Sequence, residues 1–253
     1  MNTSVKALVL KVQQVGENDR LCTLLAERFG VIRAWARGAN NMKNKNFAAT
    51  AQFVFGTFEM YYSKDRWIID ESSFDELFIR LRDDIDKLAL GQYLCELAAE
   101  LASENESTVY LQIMKTALYL LANSKRPAGV IKAAAEMRLM ALSGYMPDLV
   151  MCSGCGAYEA ETMFFNPRTG TIRCDKCGPD GMSLPLSRGA LAAMRHTIYV
   201  DIDKTFSFEL AEPSLRQLCA ASEGYLLEQT GRGYTTLDFL KSLQFIGIPE
   251  TDN

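Results

Sequence analysis

At 253 residues, with 48% hydrophobic and 23% charged residues, the chain has the composition of an ordinary globular protein holding one large domain or two to three small ones. It has no run of eighteen apolar residues, which excludes a helical membrane span, and its first residues lack the charged-then-apolar pattern of a signal peptide, so a reducing, cytoplasmic setting is expected. The net charge of −4 argues against a nucleic-acid partner for the chain as a whole, but residues 1–50 carry eight Lys/Arg and three acids, a balance of +5 against −9 on the remainder. A basic end on an acidic body points to a polyanion partner for that end alone.

The first eighty residues read as strands. Val5–Val12 is apolar and β-branched, and Gln13–Asn18 is a loop. Leu21–Phe29 and Val31–Ala39 form a hairpin about Gly30. A polar loop, Gly38–Asn46, leads to a long aromatic strand, Ala51–Ser63, and Lys64-Asp65-Arg66 turns into a short fifth strand, Trp67–Asp70. Five short strands without helices fit a small closed barrel. The OB-fold is the best-known five-stranded example, although strand pattern alone leaves an SH3-like barrel open.

From Asp75 the period changes to three- and four-residue steps through Leu77, Leu81, Ile85, Leu88, Tyr93, Leu94, Leu97 and Leu101, which predicts an amphipathic helix starting near Ser73, with Glu76 as its capping-box partner and Gly91 as an interruption. Ser107 or Thr108 caps a second helix to Leu121. Pro127 opens a third to Ser143, closed by Gly144. Ser187 caps a helix to Thr197, Pro213 opens another to Gln229, and Leu237–Phe245 is a last short helix before a frayed tail, Pro249–Asn253. The fold class predicted is α+β: a barrel domain over residues 1–80, a helical bundle over 81–150 and 182–253, and a cysteine-bearing insertion over 151–181.

That insertion holds the strongest chemical signal. Cys152 and Cys155, then Cys174 and Cys177, form two Cys-x-x-Cys pairs separated by eighteen residues, each followed by glycine (Gly156, Gly178). Paired knuckles at this spacing read as a four-thiolate zinc site. Two redox motifs or two disulfides are the alternatives, and the expected reducing setting disfavours disulfides. Four thiolates fill a tetrahedron and leave no position for water, so one structural Zn²⁺ is expected rather than a catalytic one. The segment between the pairs, Met163–Ile172, reads as a hairpin turning at Asn166-Pro167 and Thr169-Gly170. A ribbon this small needs the metal for stability. Cys22, Cys95 and Cys219 lie in apolar contexts and read as buried thiols.

No catalytic residue is assigned. The single histidine, His196, has no nucleophile motif beside it and reads as structural, and phosphate-loop and dinucleotide glycine motifs are both missing. Nucleic-acid binding fares better. Strand alternation puts Arg33, Trp35 and Arg37 on one face and Ile32, Ala34 and Ala36 on the other, so a Trp between two arginines offers a stacking surface flanked by phosphate contacts. Arg20, Lys43 and Lys45 extend the positive field. In the alternative, Trp35 is a core residue and the arginines pair with Glu17, Asp19 and Glu27. The helical body is either plain core or a groove for a partner peptide, in which Lys132 and Arg138 pair with an acidic ligand.

Ala7–Val12, Gly16-Glu17-Asn18-Asp19-Arg20-Leu21 and Gly30-Val31-Ile32-Arg33-Ala34-Trp35-Ala36-Arg37-Gly38-Ala39, followed by Phe53–Phe58, the Glu136–Pro147 helix and turn, and the four cysteines in order, resemble the RecO family of bacterial recombination mediators, zinc-bearing branch. The resemblance implies an OB domain, a helical bundle and a zinc module. It implies a non-enzymatic DNA repair protein that binds single- and double-stranded DNA, anneals complementary strands and helps load the recombinase RecA, with RecR and RecF. It also implies binding of the acidic C-terminal tail of single-strand binding protein through the helical domain, and a location with the bacterial nucleoid. One departure is that Asn40-Asn41 stand where many members continue with basic residues; the charge resumes at Lys43 and Lys45. A protein-binding adaptor without DNA contact and a zinc-dependent enzyme are the competing classes.

Overall fold

The computed structural model describes residues 2–243. Its contacts divide into two compact units, one running to Ser124 and one from Lys125 onward.

The first unit is built on five strands, β1 (Asn2–Val15), β2 (Asp19–Ala26), β3 (Gly30–Ala36), β4 (Val54–Ser63) and β5 (Arg66–Leu77), closed in the order β1-β2-β3-β5-β4. All pairings are antiparallel except β3 with β5, where Trp35 lies opposite Ile68. This closed five-stranded order is the OB arrangement. Alternation along the strands drives it: Val5, Ala7 and Val9 of β1, Cys22 and Leu24 of β2, Ala34 and Ala36 of β3, and Phe58 and Met60 of β4 all point into one buried core.

Two helices complete this unit, α1 (Ile85–Leu101) and α2 (Ser107–Asn123). The predicted helix start near Ser73 is wrong. Ser73 pairs with Thr57 in the sheet and β5 runs on to Leu77, half-exposed at its end. A short 3-10 turn, Ile79–Asp83, buries Leu81, and α1 begins only after Asp84, whose Oδ1 accepts the Asp86 and Lys87 N–H groups at 2.9 and 3.2 Å. The apolar spacing is continuous through Leu77 and Leu81, so periodicity alone missed the change; the acidic cap marks it. Asp84→Ala is expected to lower the stability of this unit by about 1 kcal/mol, read as a shift in its denaturation midpoint. Gly91 does not interrupt α1. A Cβ there would approach the Phe53 ring to 3.3 Å, so the glycine serves close packing. Ser107 is not a helix cap either: its hydroxyl accepts the N–H of Arg28, at φ 66° in the β2–β3 turn, at 2.9 Å.

The second unit holds α3 (Ala128–Leu142), α4 (Arg188–Tyr199), α5 (Glu212–Thr230) and α6 (Thr235–Ser242), with a four-stranded sheet of β6 (Asp148–Cys152), β7 (Thr162–Asn166), β8 (Thr171–Cys174) and β9 (Leu184–Ser187) in the order β6-β8-β7-β9. The predicted helix starts hold here. Pro127 precedes α3, the Ser187 hydroxyl accepts the Ala190 N–H, Pro213 sits in the first turn of α5, and Gly231 ends it in the left-handed region. The end of the last predicted helix (244–245) and the tail 249–253 lie outside the described residues. Helix α3 is buried almost all round, and it carries charge into the interior: Lys132 Nζ lies 2.7 Å from Glu136 Oε1 and 2.9 Å from Glu223 Oε2 of α5. Cys22, Cys95 and Cys219 are buried as expected, and burial pushes all three thiols up, Cys22 and Cys219 to about 12. No helix among the described residues is long and apolar enough to cross a membrane.

Candidate nucleic-acid interface and metal centre

The four paired cysteines converge. β6 and β8 run side by side in parallel, and each ends in a cysteine, Cys152 and Cys174. Each strand end rolls into the same turn: Gly156 N–H reaches back to Cys152 O at 2.8 Å, and Gly178 N–H to Cys174 O at 3.0 Å. Gly156 and Gly178 adopt φ of 74° and 71°, which the absent Cβ permits. All four Sγ atoms lie within 4.8 Å of one another, with Cys155 and Cys174 at 3.6 Å. Sulfurs about 2.3 Å from a tetrahedral centre stand roughly 3.8 Å apart, so the set fits a metal, whereas a disulfide needs about 2.05 Å.

The local field favours a thiolate at Cys152. Cys152 Sγ accepts the N–H groups of Cys174 at 3.3 Å and Gly154 at 3.4 Å. Burial opposes ionisation of Cys152, but these donors, with that of Cys155, outweigh it and bring the thiol down to about 6. Cys177 goes the other way, up to about 12, because it shares hydrogen bonds with Cys155, Cys174 and Cys152. A divalent cation at the centre would replace those shared protons and hold the sulfurs as thiolates. His196 stands apart from this chemistry: its Nε2 lies 2.9 Å from Lys204 O and its ring packs edge-on to Phe208.

On the barrel, β3 alternates as its sequence reads. Ala34 and Ala36 are fully buried, Arg33 and Arg37 are exposed, and Trp35 is half-buried. The acids named as alternative partners are engaged elsewhere or unpaired with this face; Asp19 Oδ1, for instance, accepts the Gly38 N–H at 2.8 Å, while Arg33 donates to Gln13 Oε1 at 3.2 Å. Trp35 and Arg33 border a cleft of about 560 Å³ with Tyr62, Asp65, Arg66 and Trp67. Arg37 borders a neighbouring one of about 360 Å³ with Lys64 and Arg66. Lys64, Tyr62, Arg66 and Trp67 come from the β4–β5 hairpin and were missed in the sequence. The parallel β3–β5 pairing brings them to Trp35, and no local pattern encodes that pairing. The run Tyr61-Tyr62-Ser63-Lys64-Asp65-Arg66-Trp67, with aromatic and basic residues interleaved, was the available signal.

The other named residues separate from this face to different degrees. Arg20 is turned inward: it donates to Phe47 O at 2.7 Å and Thr50 Oγ1 at 3.1 Å and lies over the Phe47 ring, pinning the β3–β4 loop. Lys43 is exposed on that loop, and Lys45 lies 3.5 Å from Glu71. Lys132 and Arg138 do not form a basic patch for an acidic peptide. Lys132 has no exposed surface and its ammonium is held by two carboxylates. Arg138 donates to the backbone carbonyls of Thr197 and Ile198 at the end of α4.

The family model described as "Recombination protein O N terminal" matches residues 1–68, and that described as "Recombination protein O C terminal" matches residues 82–238. A protein of Acetivibrio thermocellus named DNA repair protein RecO is 30% identical over 241 residues, 94% of this chain and 96% of the relative. Its namesake in Symbiobacterium thermophilum is 28% identical over 247 residues, 95% and 97% of the two chains. That of Clostridium novyi is 31% identical over 178 residues, 70% and 69%.

Proposed function

This chain belongs to the RecO family of DNA repair proteins, and from that premise we propose that it works without catalysis in recombinational repair, binding single- and double-stranded DNA on the barrel, annealing complementary strands and helping to load the recombinase onto DNA coated with single-strand binding protein. The observation that supports this reading is the face on which Arg33, Arg37, Lys64 and Arg66 surround Trp35, Tyr62 and Trp67. Four cations at one edge of a barrel neutralise phosphates whatever the sequence, and the exposed rings give bases something to stack on. Neutralising two strands at once removes the repulsion that keeps complements apart, which is what annealing needs. RecR and the acidic tail of single-strand binding protein are the partners this role requires, with RecF and RecA as further candidates, and the buried Lys132 is not available to such a tail.

In the same reading Cys152, Cys155, Cys174 and Cys177 hold one structural Zn²⁺. Zinc supplies a closed tetrahedral clamp, and the chain's part is to present four sulfurs on two matched knuckles. The test of function is strand annealing. The wild-type protein should accelerate pairing of complementary oligonucleotides, and Arg33→Ala/Arg37→Ala should reduce that acceleration at least several-fold at about 0.1 M salt. Full annealing by the double variant would remove this face from the role.

A further inference from the structure

The cleft beside Trp35 combines ring faces and a carboxylate with its cations, which a general phosphate-binding surface does not need. Three rings line it, those of Trp35, Tyr62 and Trp67. Trp67 is fixed as a wall by edge-on contacts with Phe29 and Tyr62, both at 5.3 Å between ring centres. Tyr62 is 51% exposed. Over the Trp35 ring lies the Arg66 guanidinium, 5.3 Å from the ring centre.

The two-residue turn at the tip of the β4–β5 hairpin separates Lys64 from Asp65. Lys64 and Asp65 both take left-handed backbone, at φ of 50° and 57°, where such turns ordinarily use Asn-Gly. The turn sends Lys64 to the outer cleft with Arg37 and Asp65 to the inner one with Trp35. A carboxylate in the inner cleft repels phosphate and accepts hydrogen bonds from the N–H edge of a base. The inner cleft thereby holds ring faces and a carboxylate for a base, with the Arg33 and Arg66 guanidiniums beside them for its phosphate, and the outer cleft offers Arg37 and Lys64 to the next phosphate.

We infer that Trp35 is the stacking platform for one unstacked base of single-stranded DNA, covered in the free protein by Arg66, and that this subsite gives the barrel a preference for single over double strands. The inference rests on the nucleic-acid reading of this face. Relative strengths allow the exchange. A guanidinium over an exposed ring contributes about 2- to 5-fold to an equilibrium, whereas a base stacked on an aromatic side chain contributes about 5- to 150-fold. An incoming base therefore displaces Arg66, and the freed guanidinium becomes available to the phosphate beside it. A duplex has its bases stacked and paired, offers no ring face, and meets only the cations.

The experiment compares an oligothymidylate with a blunt duplex carrying the same number of phosphates, using wild type, Trp35→Leu and Trp35→Tyr. Single strands should quench the wild-type tryptophan fluorescence and the duplex should not. Trp35→Leu should lose about 5- to 150-fold in single-strand affinity with its salt slope and duplex affinity unchanged. Trp35→Tyr should keep the strand preference while losing the Trp35 share of the quenching, leaving only that of Trp67. An equal loss for single strands and duplex in Trp35→Leu, or single-strand binding without quenching and with an unaltered strand preference, would overturn the stacking subsite and leave the phosphate-binding face intact. No DNA binding by the wild type at any salt would instead overturn the reading on which it rests.

Discussion

Lys132→Met is expected to lower the stability of the second unit by about 3–5 kcal/mol, the largest effect of any single substitution away from the cysteines. Lys132, Glu136 and Glu223 are buried together, with Ser222 Oγ donating to Glu136 Oε2 at 2.6 Å and Lys241 of α6 closing on Glu223 from the outer side. Burial works against the Lys132 charge, but Glu136 and Glu223 outweigh it and raise its pKa; burial likewise works against the Glu223 charge, and Lys132 and Lys241 hold its carboxyl below the ordinary value. Removing the ammonium leaves two carboxylates facing each other in a low-dielectric interior. The signs also set the pH response. The share of stability carried by Glu223 is present in full above its ordinary value of 4.5 and is lost progressively as pH falls from there through its lowered folded-state value. Hydrogen exchange of the α3 and α5 amides reads the second unit separately. Lys132→Met/Glu136→Gln should recover part of the loss by removing one stranded charge. A change of less than about 1 kcal/mol in Lys132→Met would contradict the buried network.

Cys174→Ser, or treatment with a strong chelator, is expected to unfold the knuckles and the β6–β8 pair that carries them. Strands β6 and β8 are four to five residues long, and their parallel pairing is carried by Asp148 with Thr171 and Cys152 with Ile172. So short a pair is marginal in water, while structural zinc contributes about 10–16 kcal/mol of apparent binding energy in small modules. The metal content should fall from one equivalent, β6–β8 should lose exchange protection, and re-adding zinc should restore the chelated wild type. His196→Ala should leave metal content unchanged, since its ring is held by Lys204 O and Phe208. A Cys174→Ser protein with full metal content and unaltered stability would contradict the four-thiolate centre.

What the sequence disclosed follows from the range of the interaction that encodes it. The cysteine knuckles, the Ser187 cap, the prolines opening α3 and α5 and the Asn166–Gly170 hairpin are local, and each stands where its residues put it. The boundary between β5 and α1 was misplaced because Leu77 and Leu81 keep a helical spacing across it, while the deciding facts are the pairing of β5 with β4 and the cap at Asp84. The aromatic and basic face was half legible. Alternation along β3 gave Arg33, Trp35 and Arg37, but Lys64, Arg66 and Trp67 reach it through a pairing between strands some thirty residues apart. Lys132 misled for a related reason. An isolated lysine on a helix suggests a solvated charge, and the α5 glutamate that holds it inside lies 91 residues away.

Salt dependence of single-strand DNA binding tests the barrel face most directly. Four cations on the face, each releasing counterions, predict a log–log slope of about −3 for the wild type, and Arg33→Ala/Arg37→Ala should make it shallower by about 1.4. A slope near zero, or one unchanged in the double variant, would contradict the claim that this face of the barrel holds DNA.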